Sequence, residues 1–201
     1  MSYLIISIIT ASFIYLINGL LNPLHNWGYY AIAMAIFIVL EVIIDALVAL
    51  IIRKMPAKWF PMDKKSYNLG LFERKFYKFI GVPIWKDKVP ELGSFTGFHK
   101  NKVTNPFDNE YIGRFILESC YGISIHFWSV PFSFLPIFID YQMWMGKNNV
   151  GLTIALPVAL VNAALIVVPA FVLKWNLPML KNIYKNNLKR EERKKKQGSL
   201  N

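Results

Sequence analysis

Apolar positions along this chain gather into long unbroken runs. Residues 3–21, 28–52 and 150–173 each approach or exceed the roughly 20 residues that an α-helix needs to cross a hydrocarbon core. A fourth run, 119–139, is interrupted by Pro131 and Pro136, which either kink a spanning helix or mark a re-entrant segment. A secretory signal is the rival reading of the first run, but it carries no basic segment and no clear small-residue cleavage site, so a span is expected. Between the second and third spans, "LGLFERKFYKFIG" (69–81) sets Leu71, Phe72, Phe76, Phe79 and Ile80 near one helical face. Arg74, Lys75 and Lys78 fall largely away from that face, as in a helix lying in the headgroup layer. The pattern predicts an all-α integral membrane protein: four transmembrane helices with an interfacial amphipathic segment in the central loop.

Charge orients that bundle. The chain has 201 residues, is 55% hydrophobic, and carries a formal charge of +11, a combination that a soluble domain of this size would struggle to keep in solution. Thirteen of its 23 Lys and Arg lie between Arg53 and Arg114, nine between Lys174 and Lys196, and one is Lys147. By the positive-inside rule both basic segments are cytoplasmic. The expectation is a multi-pass cell-membrane protein with both termini inside, divided as a first helix pair (1–52), a cytoplasmic and interfacial loop (53–111), a second helix pair with the site motifs (112–180) and a basic tail (181–201). Its end, "LKREERKKKQGSLN" (188–201), is expected to be solvated and partly disordered, drawn to anionic lipid. Topology explains the basic charge without nucleic acid, for which no motif is present. Cys120 is alone, excluding an intramolecular disulfide and a cysteine-built zinc site. Neither a P-loop, a Rossmann fingerprint nor a nucleophile elbow occurs, and no metal site is expected.

Ionisable residues in or beside the apolar runs are the candidate chemistry, because in hydrocarbon each costs about 2.5–3.5 kcal/mol by insertion scales. In "ILESCYGISIHFW" (116–128), Glu118, Gly122 and His126 recur at four-residue steps. A neutral imidazole suits a general base, although a histidine here can also pack between helices on a backbone hydrogen bond. Glu118 has Arg114 four residues before it, so a plain ion pair competes with catalysis. Gly122 leaves room for a substrate chain or a second backbone. Glu41 and Asp45 share a face of the second span, where a proton or metal path competes with simple pairing to a polar neighbour or Arg53. In "WKDKVPE" (85–91), Lys86 and Lys88 can bind a phosphate or carboxylate while Asp87 and Glu91 orient a base or each other; a solvated interfacial turn is the plainer reading.

Four blocks in order, "FERKFYKFIGVPIWKDKVPE", "GSFTGF", "EYIGRFILESCYGISIHFW" and "KWNLPML", resemble the glycosyl-4,4'-diaponeurosporenoate acyltransferase family, over roughly residues 70–190. The resemblance rests on a W-K-x-K-[IL]-P-E block, a Glu eight positions before a His-Trp-like pair, and a closing R-Y-N-R-x-R-L block. It implies transfer of a fatty acyl group from an activated donor to a sugar hydroxyl on a lipid, with no bound cofactor. It implies His126 and Glu118 as catalytic residues, and Trp85, Lys86, Asp87, Lys88, Glu91, Arg114 and Asn176 as substrate-binding residues. Its partners would be membrane lipids, a lipid-linked sugar acceptor and the acyl donor. Phe127 is inserted before Trp128, and Lys174, Trp175 and Leu177 stand where the family tends to have Arg, Tyr and Arg. The lost arginine removes a cation for an anionic substrate group, so substrate identity does not carry over. Two other classes fit the same residues: a non-catalytic lipid-binding or assembly protein, and a small transporter working through Glu41 and Asp45.

Overall fold

A computed structural model describes residues 2–21, 27–89, 103–139 and 150–198. Those residues form helices and turns with no strand. Among the described residues six α-helices follow one another: α1 (Ser2–Leu21), α2 (Trp27–Lys54), α3 (Leu71–Phe79), α4 (Val82–Trp85), α5 (Asn109–Phe132) and α6 (Leu156–Gly198). The chain divides into two compact units, one of residues 1–52 with 125–168 and the other of residues 53–124 with 169–201.

In the first unit, Ala33, Met34 and Phe37 of α2 are buried with Val150, Ile154, Ala155 and Val158, and Ala11, Ile14 and Tyr15 of α1 pack against them. A π-wound turn, Gly151–Ala155, precedes α6. Wider winding displaces carbonyls from the ordinary ladder, and the carbonyl of Thr153 accepts the Asn18 side-chain amide at 2.9 Å. The outer side of α2 stays apolar and exposed at Ile32, Val39, Val42 and Leu47, which suits contact with lipid rather than water. Among the described residues two helices, Trp27–Lys54 and Gly151–Gln197, are long and apolar enough to cross a membrane, and Ile8–Leu20 is a shorter apolar helix. The helix α5, with Glu110, Arg114 and Glu118 in its first half, is not among them.

The second unit buries Tyr67, Tyr77, Val82, Ile112, Phe115, Ile116, Cys120 and Leu177. The amphipathic helix expected over 69–81 forms as α3, and the chain leaves it through Gly81 in the left-handed region at φ +73. A side chain there would be strained, so glycine permits the turn into α4. Asp108 caps α5, its Oδ1 accepting from the N–H groups of Glu110 and Tyr111 at 2.9 and 3.1 Å. Pro131 falls in the last turn of α5, followed by a one-turn 3-10 helix at Leu135–Phe138. The prolines therefore close the helix rather than bend its middle.

The basic end is exposed over 188–197, as expected, but is helical rather than disordered: α6 runs 43 residues, through to Gly198. Lys, Arg, Glu and Gln are good helix formers, and the tail has tertiary anchors: Asn187 donates to the carbonyl of Pro106 at 2.7 Å and Arg190 lies 5.5 Å from the centre of the Phe107 ring.

Candidate functional site

In the second unit, two motif blocks ninety positions apart meet. Trp85 ends α4 with its indole N–H donating to the carbonyl of Ile80 at 2.8 Å, which holds the next turn, Lys86–Lys88, in place. Lys86 Nζ donates to Asn176 Oδ1 at 3.2 Å and lies 3.7 Å from Asp87 Oδ1. An ammonium can only donate, so the amide must turn its oxygen to Lys86. That leaves Asn176 Nδ2 buried with no partner among the described residues. A buried N–H group in that condition is a place for a water or ligand oxygen. Asp87 and Lys88 are exposed, and Glu91 lies outside the described residues.

Beside this pair, Lys174 of α6 reaches Glu73 of α3 at 2.6 Å, and the same carboxylate oxygen accepts from the Tyr77 hydroxyl at 2.9 Å. Burial raises the Tyr77 pKa above the ordinary phenol range, and the Glu73 carboxylate adds to it, so Tyr77 stays a neutral donor. Its ring packs on Phe171, with centroids 4.8 Å apart. Glu73 and Tyr77 escaped the sequence reading; the signal was a lone acid in the first turn of an otherwise basic amphipathic helix. Leu177 is fully buried, so where the family tends to have arginine this chain has a core residue.

Glu118 is paired, but with Arg53 rather than Arg114: Arg53 Nη1 lies 2.9 Å from Glu118 Oε2. Arg114 is exposed on the first half of α5. The space at Gly122 is taken by Leu173, whose Cδ1 lies 2.7 Å from where a Cβ would stand; a side chain fills it. Tyr67 and Ser124 share a hydroxyl–hydroxyl hydrogen bond of 2.8 Å.

His126 belongs to the first unit and is half-buried on α5. In that unit Glu41 and Asp45 share one amide: Asn162 Nδ2 lies 2.9 Å from Glu41 Oε2 and 3.3 Å from Asp45 Oδ2. A cavity of about 110 Å³ reaches Glu41 and Asn162 between apolar residues of α1, α2 and α6. Asparagine pairing is the plainer of the two readings of these carboxylates. Among the described residues no three His, Cys, Asp or Glu side chains gather as a metal site.

No curated protein and no solved structure matches the chain. The family model for glycosyl-4,4'-diaponeurosporenoate acyltransferase matches residues 56–186. That span contains every block on which the resemblance rests, including Trp85–Lys88, Glu91, Arg114, Glu118, His126 and Asn176. With well over half its length matched, the chain belongs to the glycosyl-4,4'-diaponeurosporenoate acyltransferase family.

Proposed function

We propose that this protein is a membrane enzyme of four crossings that moves a fatty acyl group from an activated donor to a sugar hydroxyl of a lipid. The family match supports the acyltransferase class. The observation that carries the reading to particular residues is the meeting of Lys86 and Asn176, drawn from two separate blocks of the family pattern. In the reaction, His126 takes the hydroxyl proton as the oxygen attacks the acyl carbonyl carbon. The bond from that carbon to the donor's leaving group then breaks, and the leaving group departs with the electron pair and receives the proton. Lys86, Lys88 and Arg114 stabilise negative charge on the donor or on the carbonyl oxygen as it develops. Glycolipids and glycosylated isoprenoids are the acceptor class.

Mass spectrometry of total lipids from cells with the gene, without it, and with His126→Ala tests this. An acylated glycolipid should be present in the first and missing from the other two. An unchanged lipid profile in deletion cells would remove the enzymatic reading, and normal product from a well-expressed His126→Ala would remove His126 as base.

A further inference from the structure

A groove of about 480 Å³ runs along α6 in the second unit, lined on that helix by Trp175, Pro178, Met179, Asn182, Ile183 and Asn186 and closed by Leu69 and Arg74 at the start of α3. Steps of three and four residues put Trp175, Met179, Asn182 and Asn186 on one side of α6. The neighbouring polar residues of α6 are engaged elsewhere, Lys174 with Glu73, Asn176 with Lys86 and Lys181 with Asn68. The volume falls in the range of small-molecule sites.

The lining has one formal charge, Arg74, and no carboxylate, with two amides beside it and an apolar wall of Trp175, Met179, Ile183 and Leu69. A guanidinium with neighbouring amides recognises a phosphate through paired hydrogen bonds, while the wall takes an apolar or aromatic group. Pro178 has no N–H to give the carbonyl of Lys174. From Asn182 back to Asn176 is six residues, about 9 Å along a helix axis. A phosphate on Asn182 and an acyl carbonyl near Asn176 fit one extended molecule.

We propose that this groove holds the phosphate-bearing end of the acyl donor, an assignment that rests on the acyl-transfer reading above. The donor is then an amphiphilic phosphate ester: its phosphate lies on Arg74, Asn182 and Asn186, and its acyl arm extends along α6 toward Lys86 and Asn176.

Binding of a non-transferable thioether analogue of palmitoyl-coenzyme A to the full chain in phosphatidylcholine nanodiscs tests it. Arg74→Ala should weaken binding about tenfold, as expected for loss of a hydrogen bond to a charged group. Arg74→Lys should recover part of this, Asn182→Ala with Asn186→Ala should weaken it further, and Lys189→Ala should change nothing. His126→Ala should bind the analogue normally while failing to transfer, which separates the groove from the mechanism. Wild-type binding by Arg74→Ala, or equal binding of an analogue lacking the phosphates, overturns the assignment. So does Arg74-dependent displacement of the analogue by phosphatidylglycerol, which gives the groove to a lipid headgroup. If lipid profiling shows no acyl product while Arg74-dependent analogue binding persists, the transferase reading fails and the groove remains a phosphate-ester site.

Discussion

Replacing Asn176 by aspartate keeps an acceptor for Lys86, and turns the 3.2 Å hydrogen bond into an ion pair, but deletes the buried N–H donor. Asn176→Asp is therefore expected to hold its melting temperature and to lose transfer activity by about 10²-fold, the scale seen when one preorganised donor to a developing oxyanion is removed. Full activity in Asn176→Asp would assign the amide to structure alone. Glu118 has the opposite expectation. Its pair with Arg53 is partly solvated, with side-chain exposures of 21% for Glu118 and 43% for Arg53, so the pair contributes about 0.2–1 kcal/mol. If its role is that ion pair, Glu118→Gln and Arg53→Ala should each retain most activity and melt slightly earlier, with a double-mutant cycle showing coupling. A collapse of activity in Glu118→Gln alone, at unchanged stability, would restore Glu118 to catalysis.

Among the elements, α3 and α4 carry the clearest consequence. Leu71, Phe72, Phe79 and Ile84 are 84, 85, 88 and 78% exposed, while Tyr77 faces the interior on Phe171. Four large apolar side chains left that open want a bilayer. Cysteine placed at 72 or 79 should resist a membrane-impermeant maleimide in lipid discs and react in mild detergent, whereas cysteine at 75 should react in both. Cys120 is fully buried and gives little background. Equal labelling at 72 and 75 in discs would put α3 in water. The period of the apolar residues announced this helix, but not which residue would be its inner contact: Tyr77 is buried because its hydroxyl has Glu73 to bond, and that partner sits one turn away in three dimensions as in sequence.

For the whole molecule, the basic clusters make an orientation testable. Lys189 lies on the exposed end of α6, and a cysteine there should label in inverted vesicles but not in intact spheroplasts, as the positive-inside rule requires. Cysteine at Lys147, in the segment expected outside, should show the reverse. Labelling of both from one side would remove a crossing between them and with it the four-span topology.

Composition and run length by themselves determined a helical, membrane-suited chain, because a bilayer requires backbone groups to be satisfied within the segment and so links apolar length to helix. The ordered blocks likewise marked the family and the residues worth testing, since motif order survives without coordinates. Side-chain partnership was left to the tertiary structure. Arg53 rather than Arg114 meets Glu118, Asn162 stands between Glu41 and Asp45, and Lys86 finds Asn176. Each partner lies 65 or more positions away, while helical spacing reports only neighbours three and four apart. The tail's continued helix was hidden for the same reason: its charges read as disorder until Pro106 and Phe107 supplied the contacts that Asn187 and Arg190 use.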